Sequence, residues 1–285
     1  MKKRSRKRML IIIGILLGII GGITILFNMP CSKTKTEFDE MVRNLTAKTD
    51  HEEGVFSEED IAGLPVPVQK YFRHCGYIGT QKMYSIKIAY KDVDFSFGKN
   101  KSIIKIDYTQ YNYVKKPNRI AYIDSSRYGV PFEGLDSYVG GNGSMKGVTA
   151  KLFTLFHQTG KTMDKSSLVT FLSESLLIPS AALQDYMVWE AIDDLHAKAT
   201  INYYGMSASG IFTFNEKGQM LSFATDDREA VSTDGTSEIV RWSVVCDEYK
   251  EINSIKRPTV FQAIWNYDDG DLVYFSGKGT ITDYF

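Results

Sequence analysis

Several groups of residues in this 285-residue chain have the types that chemistry needs, and their spacing decides what they can do. Gly160-Lys161-Thr162 ends like a phosphate loop, in which backbone N–H groups cradle phosphates and a lysine reaches the outer ones. That loop needs a glycine five positions before Gly160, and Leu155 stands there. Ser102-Ile103-Ile104-Lys105 has the S-x-x-K spacing that brings a lysine to a nucleophilic serine on a helix. The segment alternates as a strand does, which sends Ser102 and Lys105 to opposite faces. No Lys-Thr-Gly supports it, because Met163 follows Lys161-Thr162. The histidines, His51, His74, His157 and His196, form neither H-x-H nor H-E-x-x-H, so their spacing supports no metal site. There is no G-x-S-x-G elbow. The sequence therefore assigns no catalytic residue, no metal and no cofactor.

The polar and aromatic residues that remain as binding candidates are Glu174, Trp189, Arg241 and Trp242, with Asp193 beside them. Glu174 lies near the edge of a helix's apolar stripe. It reads as a boundary carboxylate or as a buried acid on a cavity wall. Asp193 reads as a turn former. Trp189 and Trp242 read as core. Arg241 stands in a strand of alternating apolar residues, which suggests a buried ion pair with a carboxylate such as Glu174. Glu174 with Asp193 would make a hydrolase only if the two converged in one cleft.

The elements that must position these residues follow from periodicity. A helix is predicted over about Glu37–Lys48, with Phe38, Met41, Val42 and Leu45 on one face. Ser57 to Asp60 has capping-box form. Pro67 suits a first helical turn, Val68, Tyr71, Phe72 and Cys75 recur at helical spacing, and Gly76 is a stop. From Lys82 the period becomes two, through Tyr84, Ile86, Ile88 and Tyr90. Strands are predicted near Arg119–Ile123, Tyr128–Phe132 and Gly147–Phe156. One helix interrupts them, capped by Asp164 or Ser166 and carrying Leu168, Phe171, Leu172 and Leu176. Strands resume at Met187–Ile192, Ala197–Tyr204, Ser207–Phe214, Met220–Thr225, Glu238–Glu248, Thr259–Tyr267, Leu272–Ser276 and Thr280–Tyr284. Alternation of this kind predicts a mainly β, α+β fold: one large curved antiparallel sheet or half-barrel with a few packed helices.

The N-terminus speaks of location. Lys2, Lys3, Arg4, Arg6, Lys7 and Arg8 precede an uncharged run from Met9 to Met29. About 21 helical residues rise about 30 Å, enough to span a hydrocarbon core. A cleaved signal would end in small residues, whereas this run ends Phe27-Asn28-Met29-Pro30, and Pro30 would obstruct lipoprotein processing at Cys31. The expected organisation is a cytoplasmic tail over 1–8, a single-pass bilayer anchor over 9–29, a helical juxtamembrane segment over 30–81 and an extracytoplasmic β-rich domain over 82–285 of a bacterial cytoplasmic membrane protein. Without the six leading charges, 28 basic residues face 34 acidic ones and no basic stripe appears, so nucleic acid is not an expected partner. Cys31, Cys75 and Cys246 show no metal spacing. Cys75 and Cys246 read as buried free thiols or as a pair.

A family pattern then emerges from Leu64-Pro65-x-Pro67-Val68-x-x-Tyr71, Leu168…Phe171-Leu172-Ser173-Glu174…Pro179-Ser180-Ala181, Trp189-x-x-x-Asp193, Phe214-Asn215-x-x-Gly218, Trp242…Asp247-x-Tyr249, Pro258 and Trp265. Together these resemble an uncharacterised bacterial family defined only as a domain of unknown function. Ser173 and Leu177 depart from its pattern. The resemblance implies no reaction. The strand-rich layout is also similar to the half-barrels that carry lipoproteins or lipids outside bacterial inner membranes, which is an architectural analogy. The expectation is an apolar ligand such as a lipid or acyl chain. The alternatives are an envelope interaction or scaffold protein with a protein partner, and a carboxylate-dependent hydrolase.

Overall fold

A computed structural model describes residues 2–49, 54–231 and 236–284. Four helices come first: α1 (Lys2–Asn28), α2 (Lys33–Thr46), α3 (Glu58–Ile61) and α4 (Val66–Cys75). Six strands follow: β1 (Ser85–Phe95), β2 (Ile104–Tyr113), β3 (Asn118–Arg127), β4 (Val130–Val139), β5 (Asn142–Thr149) and β6 (Phe153–Thr159). Helix α5 (Lys161–Glu174) and a 3-10 turn (Pro179–Leu183) interrupt them. The remaining strands are β7 (Met187–Ala191), β8 (His196–Tyr203), β9 (Met206–Phe214), β10 (Met220–Thr225), β11 (Glu229–Val231), β12 (Ser237–Ile239), β13 (Arg241–Asp247), β14 (Lys250–Ile252), β15 (Ile255–Arg257), β16 (Val260–Tyr267) and β17 (Gly270–Tyr284).

Thirteen strands form one antiparallel sheet in the order β6-β5-β4-β3-β2-β1-β17-β16-β13-β10-β9-β8-β7. Two meanders are thus joined through the long C-terminal strand β17, which pairs with both β1 and β16. Twist accumulating over so many strands curls the sheet. The β4–β5 turn meets the β8–β9 turn, where a Cβ on Gly141 would lie 2.6 Å from the Tyr204 ring. The mainly antiparallel architecture predicted from alternation is present.

Helix α1 is apolar enough to cross a membrane by length and composition, and its most apolar stretch is not buried against the other described residues. Helix α2 covers the convex face, where Phe38 packs with Tyr113, Ile120, Tyr122 and Leu135. It begins at Lys33, earlier than predicted, because Ser32 caps it by accepting from the Lys35 N–H at 3.0 Å. Ser57 and Asp60 form the predicted capping box on α3. Pro67 lies in the first turn of α4, which Gly76 ends in the left-handed region at φ 81°. The Tyr71 hydroxyl of α4 donates to the Leu176 carbonyl at 2.8 Å, tying α4 to the segment after α5.

Helix α5 lies on the concave side, with Leu168, Phe171 and Leu172 fully buried. It starts at Lys161 rather than at an Asp164 or Ser166 cap. Asp164 instead accepts from the Gly143 N–H at 2.6 Å, fastening the first turn to β5. A side chain at Gly143 would put Cβ 2.3 Å from the Met163 carbonyl oxygen, a backbone atom that cannot swing aside. Gly143→Ala is expected to cost about 1–3 kcal/mol, the range of overpacking. Urea denaturation measures it, and an unchanged midpoint would mean that α5 is not held this closely.

Three strand predictions fail at their edges. Gly147–Phe156 is a hairpin, because Ala150 and Lys151 adopt left-handed φ values of 53° and 61°. Glu238–Glu248 breaks at Val240 into β12 and β13. Leu272–Ser276 and Thr280–Tyr284 are one strand. Gly277 and Gly279, between the two predicted segments, serve close approach, since their Cβ atoms would lie 2.5 Å from Val93 and 2.4 Å from Tyr90.

Candidate functional site

The concave face and α5 enclose a cavity of about 450 Å³, within the range of about 300–1,000 Å³ usual for small-molecule sites. Its walls differ in character. The sheet contributes an aromatic wall that includes Tyr90, Phe95, Phe261, Phe275, Trp242 and Trp265. These rings pack edge to face: Tyr90 lies 5.4 Å from Phe275 and 5.7 Å from Phe261. Helix α5 contributes a wall of Ser166, Ser167, Thr170, Ser173 and Glu174. Small hydroxyl side chains let the helix sit close to the sheet while two of them bond to its own backbone, Thr170 to the Ser166 carbonyl and Ser173 to the Thr170 carbonyl. The Ser166 hydroxyl is buried without a hydrogen-bond partner among the described residues.

The deep end is polar. Arg119, the second residue of β3, is 4% exposed. Its Nε donates to both Glu174 oxygens at 3.2 and 3.0 Å, and its Nη1 to Asp136 at 2.6 Å. Its Nη2 donates to the Tyr108 hydroxyl at 2.5 Å and to the Gln110 carbonyl oxygen at 3.4 Å. Gln110 donates to Asn112 at 2.9 Å, and Asn112 donates to Glu174 at 2.8 Å, closing the network. Burial alone would lower the affinity of Arg119 for its proton. The Glu174 carboxylate, Tyr108 and Asp136 outweigh that and raise its pKa well above the ordinary value. Burial pushes the Tyr108 hydroxyl up, so it stays protonated. One guanidinium against two carboxylates leaves this end with one net negative charge.

The opposite end carries Phe97, Gly98, Lys99 and Lys101 from the β1–β2 connection and Tyr267 from the end of β16. Exposed Lys99 and Lys101 mark a mouth. Arg228 lies on the same cavity with its guanidinium 4.2 Å from the Trp242 ring and 5.3 Å from that of Trp265. Its Nε and Nη1 are buried without hydrogen-bond partners among the described residues, and the two indole faces supply the cation–π attraction that holds it there. From the row of Phe95 and Ile104 to that of Gln110, β2 advances six steps, about 20 Å at strand rise, with Phe95 at one end of the lining and Tyr108 and Gln110 at the other.

The sequence candidates are partly brought together. Glu174 and Trp242 both face the cavity, and the Trp242 Nε1 donates to the Tyr274 hydroxyl at 3.1 Å. Trp189 is not on its wall; it packs 5.3 Å from Phe212 and donates to the Ala182 carbonyl at 2.9 Å. The expectation for Arg241 fails. It is half-exposed and pairs with Asp226 at 3.2 Å, not with Glu174. The alternating strand around it places Trp242 inward, and so places Arg241 outward. The buried arginine that pairs with Glu174 is Arg119, which sequence reasoning passed over. Its signal was available: Tyr108, Gln110 and Asn112 on one face of β2 form a polar stripe that needs a partner.

Asp193 sits in an exposed turn, accepting from the Leu195 and His196 backbone N–H groups at 2.8 and 2.9 Å, and it does not meet Glu174. His74, His157 and His196 are apart, resting against Tyr249, Ser144 and Asp193. His51 lies outside the described residues. Ser102 accepts from Arg127, while Lys105 pairs with Asp94 at 2.8 Å.

Cys75 and Cys246 are buried free thiols and Cys31 is exposed. Burial pushes Cys75 and Cys246 up to about 12 from 9.0. A thiol reagent at pH 8 should therefore label one cysteine in the native chain and three in denaturant. Because the unfolded thiols ionise first, stability from this source is full below about pH 9.0 and is lost toward pH 12. Alkaline unfolding should shift upward in Cys75→Ala/Cys246→Ala.

The profile of a family of unknown function, DUF6544, matches residues 54–277. The chain belongs to that family. The DUF6544 match contains every motif that carried the resemblance, from Leu64 to Trp265. No curated protein matches the sequence. Among solved structures, the crystal structure of a LolA superfamily protein from Nitrosomonas europaea is similar, with 11% identity and a TM-score of 0.37 over 76% of this chain and 90% of that one.

Proposed function

We propose that this DUF6544 chain is a membrane-anchored extracytoplasmic protein that holds a lipid or acyl chain in the cavity between α5 and the concave sheet. The observation that carries the reading is the pairing of wall chemistry with length. Aromatic rings flank a path about 20 Å long, from an exposed mouth to a polar end. An extended alkyl chain gains by leaving water along such a wall, at roughly 25 cal/mol per Å² of apolar surface buried.

Helix α1 supports the anchor. Its length suits a bilayer, its flank is basic, and its most apolar stretch is not buried against the other described residues. The positive flank favours an inside N-terminus and an outside sheet domain. Native mass spectrometry of the full chain, offered phospholipids and fatty acids and followed by organic extraction, tests the ligand. One adduct per chain is expected. A clean apo mass after that exposure would remove the carrier reading and leave an envelope protein partner as the alternative.

A further inference from the structure

One end of the sheet carries apolar residues that are largely exposed. Register places four connections there in a row. Phe95 is opposite both Ile104 and Phe275, Ile106 opposite Ser125, Phe132 opposite Thr149, and Thr149 opposite Phe153. The β1–β2, β3–β4, β5–β6 and β16–β17 connections therefore lie side by side. Contacts link them. Lys99 pairs with Asp269 at 2.5 Å, Arg127 donates to the Ser102 hydroxyl at 3.2 Å, and the Ala150 N–H donates to the Pro131 carbonyl at 2.8 Å.

On this row Tyr128 is 93% exposed, and Ile103, Leu152 and Phe153 are 63–64% exposed. Tyr128 sits beside Arg127, and Leu152 and Phe153 follow Lys151, so apolar tips alternate with cations. Aromatic rings beside basic side chains are the composition that favours a membrane interface.

The same end meets the helix that reads as an anchor. The Lys151 ammonium donates to the carbonyl of Met29, one residue beyond α1. Helix α2 then runs away from this end. Lys35 near its start lies 5.7 Å from the Tyr122 ring, and Thr46 at its end meets the Tyr113 hydroxyl at 3.0 Å, at the far end of β2. The chain thus leaves α1 beside the exposed tips. The cavity mouth, at Phe97, Lys99 and Lys101, lies on the β1–β2 connection of this row.

We propose that this end of the sheet rests on an anionic bilayer surface, with Tyr128, Leu152 and Phe153 set in the headgroup layer, so that the cavity mouth faces the lipid from which α1 emerges. The proposal rests on α1 being a membrane anchor. It adds an orientation, a second contact and a route: a lipid would pass between bilayer and cavity without crossing water.

The test uses the full chain carrying Cys31→Ser, reconstituted in vesicles of phosphatidylglycerol and phosphatidylethanolamine that contain headgroup-quencher lipid. A fluorescent thiol label is placed at Leu152→Cys, at Tyr128→Cys or at Lys116→Cys. Lys116 is exposed on the β2–β3 turn, about 30 Å away along β3. Interfacial side chains enter roughly 5–10 Å, so the labels at 152 and 128 should be quenched several-fold more than the label at 116. Quenching equal at all three positions, or absent from 152 and 128, overturns the docking. Carbonate extraction separates the two failures. A chain that stays in the membrane without quenching keeps its anchor and loses the docked face, whereas a chain that washes off loses both.

Discussion

Arg119→Met should lower the unfolding free energy by about 3–5 kcal/mol, the usual cost of breaking a buried ion pair by removing one partner. The side chain is almost fully buried and all three of its nitrogens are engaged. Its loss would strand Glu174 and Asp136, whose side chains are only 17% and 23% exposed, beside each other without a cation. The cost is thus mainly that of two uncompensated carboxylates, and adding Glu174→Gln and Asp136→Asn should return much of it. Arg241→Met supplies the contrast, because that exposed pair with Asp226 should be worth no more than about 1 kcal/mol. Urea denaturation of the three variants decides. A loss near 1 kcal/mol for Arg119→Met would mean that water relaxes the network and that the polar end is not closed.

Ala263→Phe is the second large effect. Ala263 faces the cavity between Phe261 and Trp265 on β16. A ring there would occupy space that a ligand needs, and affinity for a fluorescent fatty acid should fall at least about tenfold, or about 1.4 kcal/mol. Trp242 and Trp265 line the same space, so their fluorescence reports binding to the wild type directly. Unchanged affinity in a folded variant would place the ligand elsewhere. A stability loss above about 3 kcal/mol, beyond ordinary overpacking, would mean that the ring had disrupted the wall instead of filling the cavity.

Both predictions concern residues that the sequence treats unequally. Glu174 and Trp242 were legible because each stands at a defined phase of a periodic element: one at the edge of a helical stripe, the other inward on a strand. The phase of Trp242 also fixed its neighbour Arg241 as outward, so the expected buried pair with Glu174 contradicted the alternation it was read from. Trp189 was legible as an aromatic but not as a residue of a particular wall, since its strand lies toward the β7 edge of the sheet. The polar stripe of β2 was legible, but that Arg119 completes it with Glu174 and Asp136 was not, because those carboxylates lie 55 and 17 residues along the chain.

Periodicity and turn chemistry by themselves determined the apolar N-terminal helix, the capping of α3, the stop of α4 at Gly76, the buried stripe of α5 and the antiparallel class. These depend on interactions within a few residues, where side-chain types and φ preferences act directly. Tertiary structure alone decided that β17 joins the two meanders, that Gly277 and Gly279 make room for Val93 and Tyr90 rather than turn the chain, and that Arg119 holds α5 at the polar end of a cavity. Each of those depends on which distant strands become neighbours. Strand pairing is set by burial summed over the whole sheet, and no local pattern carries it.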